Sequence, residues 1–353
     1  MIRVLVIDDS ATVRRVLVEG LAAFPGIEVV GVAPDPYVAR DKLAQLKPDV
    51  LTLDIEMPRM DGLSFLAKLM RHHPMPVVVV SSLTPAGSQE AMRAFELGAV
   101  EVMCKPSTAY SIGEALPALA RAIRAAAAAR NLGARSAMSP TGSLEKPPPV
   151  LRTTNKILAI GASTGGTEAL RAVFAQLPGD TPGTVIVQHM PPLFTNAFAK
   201  RLNECSRMRV AEAVGGEELL PGLAFLAPGG RHLVVERSGA RYLCALRDGP
   251  QVHFQKPAVD VLFNSVARCG STNAVGVLLT GMGSDGADGL RAMRRGGAHT
   301  IAQDEATSIV FGMPKAAIEC GAAVEVAGLP DIPARITRAL QRSSSAPDSP
   351  CAS

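Results

Sequence analysis

The sequence predicts an α/β protein with two domains, each built around a doubly wound parallel sheet. Two stretches of the chain alternate short apolar segments with segments of helical apolar spacing, which is the pattern of buried strands and covering helices. A stretch rich in Gly, Ser, Pro and Thr separates them. Hydrophobic residues make up 47% of the 353 residues but aromatic residues only 4%. The cores must therefore consist mainly of small and branched aliphatic side chains, as in parallel sheets.

The first domain is predicted to span residues 1–124. Five short apolar segments predict its strands, at residues 4–7, 29–32, 50–53, 77–80 and 100–103. Helical apolar spacing lies between them, at residues 12–23, 37–46, 63–71 and 88–97. Strands joined in this way by helices run parallel and form one sheet.

Residues 125–155 are predicted to be a linker, because an Ala-rich helix end gives way there to Gly, Ser, Thr and three successive prolines. The second domain is predicted at residues 156–342. Its clearest strands are at 157–160, 185–187, 275–279 and 300–302, and its helices at 167–176, 196–203, 259–267, 287–294 and 314–319. Two alternating runs around Ser238-Gly239 predict an inserted antiparallel hairpin. Residues 343–353 are polar and are predicted to be a disordered tail.

Composition argues against several classes of function. The net charge is +4, from 36 basic and 32 acidic residues without a long run of either sign, so nucleic-acid binding is not indicated. The six cysteines have no C-x-x-C spacing, so neither a zinc site nor a disulfide framework is expected. The first residues lack the pattern of a signal peptide, and no apolar stretch is long enough to span a bilayer. We expect a cytoplasmic protein without membrane insertion.

The first candidate site lies at the carboxyl ends of the strands of the first domain. Asp8 and Asp9 follow the first strand, Asp54 the third, Ser81 the fourth and Lys105 the fifth. Carboxylates gathered at one sheet edge repel each other unless a cation neutralises them, and Mg²⁺ prefers oxygen ligands. Such a site could receive a phosphoryl group on an aspartate, with the lysine and the serine contacting its oxygens. The alternative is that Asp8, Asp9 and Ser10 only cap the next helix, which would account for one of these residues but not for the matched groups at four strand ends.

These residues resemble the motifs of a response-regulator receiver domain, and the likeness covers residues 1 to about 124. The motifs are the acidic pair, Leu53-Asp54-Ile55-Glu56-Met57-Pro58, Asp61-Gly62, Ser81 and Lys105-Pro106. The resemblance implies that Asp54 is phosphorylated and that Mg²⁺ is held by Asp9, Asp54 and the Glu56 carbonyl, with Asp8 beside them. Val102 stands where many receivers carry a switching aromatic residue.

The second candidate site begins at Gly161-Ala162-Ser163-Thr164-Gly165-Gly166, between a predicted strand and a predicted helix. G-x-S-x-G at such a turn is the pattern of a nucleophile elbow, which exposes the serine above the sheet. A Walker loop would need Lys before Ser or Thr, and a dinucleotide loop would need Gly in place of Ser163, so neither pattern fits. An anion-binding turn at a helix N-terminus remains an alternative.

Two further strand ends supply a base and an acid. His189 follows the second strand of this domain, and Asp285 lies just beyond the strand predicted at 275–279. A serine needs a base to become nucleophilic, and the base needs an acceptor that fixes its tautomer. Asp288 and Asp304 compete with Asp285 for this role: Asp288 is expected inside the next helix, and Asp304 is the second candidate. The glycines around Met282 make its backbone N–H a candidate donor to an oxyanion.

Together these segments resemble the catalytic domain of the chemotaxis protein-glutamate methylesterases, over roughly residues 156–340. The motifs that carry the likeness are residues 161–166, Gln188-His189-Met190, Ala227-Pro228-Gly229, and residues 257–263, 281–286 and 303–314. The resemblance implies a catalytic triad of Ser163, His189 and Asp285, without a cofactor for the esterase. It also implies a flavodoxin-like receiver followed by a Rossmann-like three-layer catalytic domain.

The resemblance further implies an activity and partners. The expected reaction is hydrolysis of glutamate methyl esters on methyl-accepting chemoreceptors, with deamidation of receptor glutamines as a second activity. A chemotaxis histidine kinase is the expected phosphoryl donor, and phosphorylation is expected to activate the esterase. Two alternatives from other classes are a receiver joined to a DNA-binding output, and a binding module that kept the fold without the chemistry. The first would need a basic helix-turn-helix, which the Gly-punctuated α/β pattern does not favour.

Overall fold

The computed structural model describes residues 1–81, 85–105, 112–129, 156–192 and 194–341. The chain forms two compact units. Most of the predicted linker, the predicted tail and Pro106 lie outside the described residues. The boundaries predicted for the domains, the linker and the tail therefore stay predictions. None of the helices in the described ranges combines the length and the apolar character that crossing a membrane requires.

The N-terminal unit contains a five-stranded sheet in the order β2-β1-β3-β4-β5, and every pair of neighbours is parallel. This order is that of flavodoxin-like folds. The strands are β1 (Ile2–Ile7), β2 (Ile27–Ala33), β3 (Val50–Asp54), β4 (Val77–Ser81) and β5 (Glu101–Cys104), and the helices are α1 (Ala11–Leu21), α2 (Pro36–Leu46), α3 (Gly62–His72), α4 (Pro85–Glu96) and α5 (Ile112–Ala128). The five predicted strands and the four predicted helices are confirmed.

Three helices of this unit begin at polar residues whose side chains cap them. The Ser10 hydroxyl accepts a hydrogen bond from the Val13 N–H at 3.4 Å and so caps α1. Asp35 caps α2 and Asp61 caps α3 in the same way. Since a serine hydroxyl already fills the N-cap of α1, capping does not account for the acidic pair that precedes it.

The C-terminal unit contains a seven-stranded sheet in the order β14-β13-β12-β6-β7-β9-β8, again with parallel neighbours only. Its strands are β6 (Ile157–Ala162), β7 (Thr184–Gln188), β8 (Arg209–Glu212), β9 (Leu223–Leu226), β12 (Ala274–Leu278), β13 (His299–Gln303) and β14 (Glu325–Ala327). The helices are α6 (Gly166–Phe174), α7 (Phe194–Cys205), α8 (Val259–Gly270), α9 (Ala287–Arg295), α10 (Met313–Glu319) and α11 (Ile332–Gln341).

The predicted hairpin is present as a separate antiparallel sheet of β10 (His232–Ser238) and β11 (Arg241–Arg247). The predicted α/β class with two doubly wound parallel sheets and one inserted hairpin is thus confirmed. Sequence reasoning did not identify β8, β9, β14 and α11. The strands β8 and β14 lie at the two edges of the sheet and are short and partly exposed, so they lack the continuous apolar run of a buried strand.

The arrangement of the central strands positions the second candidate site. The strands β12, β6 and β7 are neighbours in the sheet, and every residue in them is buried. Their carboxyl ends therefore meet at one edge. In open parallel sheets, functional groups gather at this edge near the point where the strand order reverses.

Candidate active site and candidate phosphorylation site

Ser163 lies on a tight turn between β6 and α6. Its N–H donates to the Thr280 carbonyl at 3.0 Å, and its own carbonyl accepts from the Gly166 N–H at 2.7 Å. Gly165 has φ +76°, a conformation that residues with a side chain rarely adopt. A Cβ at this glycine would also lie 2.4 Å from the Ile309 side chain. The sequence thus folds into the predicted elbow because glycine stands where the chain reverses.

His189 follows β7 directly and contacts both partners predicted for it. Its Nδ1 is 3.0 Å from the Ser163 Oγ, and its Nε2 is 2.8 Å from the Asp285 Oδ2. The Gln188 amide donates to the Ser163 carbonyl at 2.9 Å and to the His189 carbonyl at 3.1 Å. This glutamine therefore fixes the backbone of the nucleophile relative to that of the base. All three predicted triad residues are brought together.

Asp285 is held by three donors. Besides His189, the Val259 N–H donates to its Oδ2 at 2.7 Å, and the Asp260 N–H donates to its Oδ1 at 2.9 Å. Both amides belong to the first turn of α8, where backbone N–H groups have no partner within the helix. Burial raises the pKa of the Asp285 carboxyl, but the hydrogen bonds and the charge of His189, together with the two amides, outweigh burial and hold this pKa below its usual value.

The orientation of the imidazole decides which tautomer can act. Because Asp285 accepts only, the Nε2 of His189 must carry a proton, which leaves Nδ1 free to take the proton of the serine hydroxyl. In chymotrypsin-like triads the two ring nitrogens have the opposite roles, with Nε2 facing the serine. Ser163, His189 and Asp285 thus have the arrangement that a nucleophile, a base and an orienting acid require, with the ring nitrogens interchanged.

The Met282 loop lies beside the nucleophile. A Cβ on Gly281 would stand 2.7 Å from the Cβ of Ser163, so only glycine allows this approach. The Met282 N–H donates no hydrogen bond to another described residue. Such an amide is suited to an oxyanion, and the role of Met282 stays a prediction.

The other acidic candidates lie elsewhere. Asp304 accepts hydrogen bonds from the N–H and the hydroxyl of Thr307, at 2.9 and 2.6 Å, and so stabilises a turn. Asp288 lies in α9, pairs with Arg291 and has a side chain that is 66% exposed. Neither of these carboxylates hydrogen-bonds to His189, so Asp285 is the acceptor that the geometry selects.

Sequence reasoning gave no functional role to two residues next to this site, Asp260 and His253. Asp260 is buried, and its carboxylate accepts hydrogen bonds from the His253 Nε2 at 3.0 Å and from the Gly289 N–H at 2.6 Å. The motif at 257–263 contains Asp260, and this was the available signal. His253 follows no strand of the parallel sheet, so the strand-end argument could not identify it.

The candidate phosphorylation site in the N-terminal unit gathers carboxylates around one lysine. The Lys105 Nζ lies 2.7 Å from the Asp54 Oδ2 and 3.3 Å from the Asp8 Oδ2. Asp54 and Asp8 are 1% and 2% exposed. Burial is the main cause that raises the pKa of Asp54 to about 6, against the opposing effect of Lys105. Burial likewise raises the pKa of Asp8, so one lysine does not compensate both charges.

Ser81 and Asp9 are two further groups of this site that could bind a ligand. The Ser81 hydroxyl is fully buried at the end of β4 and has no hydrogen-bond partner among the described residues. Asp9 is exposed, and one carboxylate oxygen each of Asp8, Asp9 and Asp54 lies within 4.8 Å of the others. An under-compensated set of three carboxylates fits a divalent cation with oxygen ligands. The Glu56 N–H donates to the Asp54 Oδ1 at 3.2 Å, and the role of the Glu56 carbonyl stays a prediction.

Two family models match this chain, and they cover different parts of it. The family model described as CheB methylesterase matches residues 158–336, and that of the response regulator receiver domain matches residues 4–116. A protein-glutamate methylesterase/protein-glutamine glutaminase of Anaeromyxobacter dehalogenans is 55% identical over 91% of this chain and 90% of its own length. One from Syntrophus aciditrophicus is 52% identical over 96% of this chain and 98% of its own.

A solved structure extends the likeness to the fold. The CheB methylesterase catalytic domain of Thermotoga maritima is 38% identical, with a TM-score of 0.51, and the match covers 53% of this chain and 99% of that domain. Sequence, site geometry and fold thus lead to one conclusion: the chain belongs to the CheB methylesterase family, with a response-regulator receiver domain ahead of the methylesterase domain.

Proposed function

We propose that this chain is a phosphorylation-activated serine esterase that removes methyl groups from methylated glutamates of chemoreceptors. The observation that carries the proposal is the hydrogen-bonded series Ser163–His189–Asp285 at the ends of three neighbouring strands. The names of the relatives support the substrate class. The five described cysteines are free thiols, which agrees with an action on the cytoplasmic part of a receptor.

The reaction has two halves. In the first, the Ser163 Oγ attacks the ester carbonyl carbon while the Nδ1 of His189 takes the hydroxyl proton. The tetrahedral intermediate then collapses, the imidazolium returns the proton to the methoxy oxygen, and methanol leaves. In the second half, water attacks the acyl-enzyme, His189 takes its proton and returns it to the serine, and the glutamate carboxyl group is released.

Asp285 keeps its negative charge throughout. Its low pKa means that it orients the Nε2–H of His189 and stabilises the imidazolium without taking the proton itself. The Met282 N–H is the proposed donor to the oxyanion. Deamidation of receptor glutamines follows the same steps, with ammonia in place of methanol as the leaving group.

Asp54 is the proposed phosphoryl acceptor, and a chemotaxis histidine kinase is the proposed donor. Asp8, Asp9, Asp54 and the Glu56 carbonyl would hold Mg²⁺, which when bound neutralises the carboxylates and the phosphoryl oxygens. Lys105 then contacts the phosphoryl group, and the Ser81 hydroxyl donates to one of its oxygens. Among the described residues this hydroxyl has no hydrogen-bond partner, which supports its assignment to the phosphoryl group.

The receiver is proposed to inhibit the esterase until it is phosphorylated, with domains at residues 1–124 and 156–342 and a linker at 125–155. Phosphorylation commonly controls an activity by shifting a protein between two conformations that differ in that activity. Deletion of residues 1–150 should therefore raise the basal rate of methanol release. A fragment no faster than the unphosphorylated full chain contradicts inhibition but leaves the esterase assignment intact.

The decisive experiment measures methanol release from receptor membranes carrying labelled methyl esters. The purified full chain is compared with and without a small-molecule phosphodonor, and Ser163→Ala serves as the control without a nucleophile. Release that rises with phosphodonor and is lost in Ser163→Ala supports both sites. Folded protein that releases no methanol in either condition would instead be a binding module that lacks the chemistry.

A further inference from the structure

A buried carboxylate that the proposed mechanism does not use stands directly behind the triad. Asp260 lies in the first turn of α8, with a side chain that is 8% exposed. Its N–H donates to Asp285, while its carboxylate accepts from the Gly289 N–H of α9 and from the His253 Nε2. One residue therefore joins the start of α8, the start of α9 and the turn that carries His253. Asp285 lies in the loop just before α9, at the centre of these contacts.

The turn that carries His253 has an unfavourable backbone. Val252 and Gln255 exchange two backbone hydrogen bonds, of 3.0 and 2.9 Å, around His253 and Phe254. Those two residues have φ of +51° and +60°, values that a tight hairpin normally gives to Asn and Gly. A left-handed backbone at Phe254 costs free energy, and its side chain is 70% exposed. The hydrogen bond of His253 to Asp260 ties this turn to the first turn of α8.

The two carboxylates also affect each other electrically. One oxygen each of Asp260 and Asp285 lies within 4.8 Å of the other and of the His253 ring. Burial, followed by the charge of Asp285, raises the pKa of Asp260, while the Gly289 amide and His253 oppose this. Asp285 and His253 are the charged or titratable groups that act most on Asp260, and His189 reaches it through Asp285. The base of the triad thus stands near two negative charges, of which one is in contact with it.

We propose that Asp260 and His253 form a second carboxylate–histidine pair, which positions Asp285 and adds a negative charge that stabilises the imidazolium of His189. His253 holds the Asp260 carboxylate in place through its Nε2–H, and its other edge reaches solvent, since the side chain is 40% exposed. Both are positioning residues, because they act through Asp285 rather than on the substrate. The proposal rests on the proposed esterase function and extends its catalytic site.

Asp260→Asn tests the role of the negative charge, because asparagine keeps the shape of the side chain. The asparagine oxygen can still accept from the Gly289 N–H, while the negative charge is gone. We expect kcat to fall about 5- to 10-fold with KM nearly unchanged, and the acid limb of the kcat/KM profile to move to lower pH by about one unit, because the proton on the base is held less tightly. The rate of the variant is divided by that of the unmodified chain at each pH, so that the pH dependence of the phosphodonor reaction cancels. A midpoint that stays in place would overturn the charge role.

Two further variants test His253, whose side chain is 40% exposed. His253→Ala removes the donor to Asp260 and should lower kcat about 3- to 10-fold, while His253→Gln keeps an amide donor and should restore most of it. Equal rates for the three proteins would overturn the role of His253. Asp288→Asn is the matched control, since Asp288 is an exposed aspartate in the first turn of α9, and it should leave rate and midpoint unchanged. Absence of methanol release in the unmodified chain would instead refute the proposed function.

Discussion

The two candidate sites occupy the same position in their folds, but the pKa of the buried aspartate is raised in one and lowered in the other. Each lies at the carboxyl edge of a parallel sheet, and Asp54 and Asp285 are 1% and 2% exposed. Burial alone would raise the pKa of both. The pKa of Asp54 is indeed raised, to about 6, whereas that of Asp285 is lowered. Asp285 accepts from one imidazole and two helix amides. Asp54 instead accepts from Lys105 and the Glu56 N–H and lies beside the charge of Asp8, which raises its pKa further.

The difference matches what each carboxylate is proposed to do. An orienting acid has to stay ionised and fixed, so its oxygens are engaged by the protein itself. A phosphoryl acceptor has to offer an oxygen to phosphorus and another to a cation, so the protein leaves part of its capacity open. On this proposal the receiver carboxylates depend on a ligand for charge compensation, and the esterase carboxylate does not.

The largest expected effect comes from Asp285→Asn, which removes the acceptor from the triad. The asparagine oxygen would face the α8 amides and its NH₂ the imidazole, so His189 would carry its proton on Nδ1 and could not accept one from Ser163. We expect kcat to fall by about 10³- to 10⁴-fold. Methanol release measures the loss, and circular dichroism checks the fold. A variant with more than a tenth of the original rate would show that the orienting acid lies elsewhere.

The second-largest expected effect comes from a chelator, which should act on the phosphorylation site and leave the esterase site nearly unchanged. Removal of divalent cations should lower the rate of phosphorylation by a small-molecule donor by about 100-fold or more, because the three carboxylates then repel the incoming phosphoryl group. The basal methanol release of the unphosphorylated chain should change less than twofold, since the triad is self-contained. Mass spectrometry of the phosphorylated chain and the methanol assay give the two readings. A basal esterase rate that collapses with chelator would contradict the comparison.

The smallest expected effect concerns stability. The pKa of Asp54 is higher in the folded than in the unfolded chain, so ionised Asp54 destabilises the receiver, fully above about pH 6 and not at all below about pH 4. In the absence of Mg²⁺, Asp54→Asn should thus stabilise the receiver at pH 7 by about 1–3 kcal/mol. The loss of the ion pair with Lys105 offsets part of this gain. Slower hydrogen exchange of the β3 amides in the full chain is the measurement.

The matched control for this variant is Asp41→Asn, since the Asp41 side chain is 63% exposed. It should leave exchange unchanged at pH 7. Faster exchange in Asp54→Asn at pH 7 would show that the ion pair with Lys105 outweighs the cost of burying the carboxylate. The comparison of the two aspartates would then fail on the receiver side.

Much of the fold could be predicted from local pattern. Strands buried on both faces have continuous apolar runs, so all five receiver strands and the central strands of the second sheet were found, and so was the hairpin around Ser238-Gly239. The edge strands β8 and β14 were missed because an exposed face dilutes that pattern. At the triad, strand ends indicated which residues meet. Asp260 was missed because its role depends on which helix start faces the Asp285 loop.

The sequence by itself determined the class of fold, the two sheets and the residues that stand at their carboxyl edges, because periodicity and turn residues are local properties. Only the tertiary structure decided that β12, β6 and β7 are neighbours, that the Nδ1 of His189 faces the serine, and that Asp285 and Asp54 have opposite pKa shifts. These features depend on strand order, ring orientation and the donors and charges around a buried carboxylate. Each is a property of groups far apart in the chain, which no local pattern records.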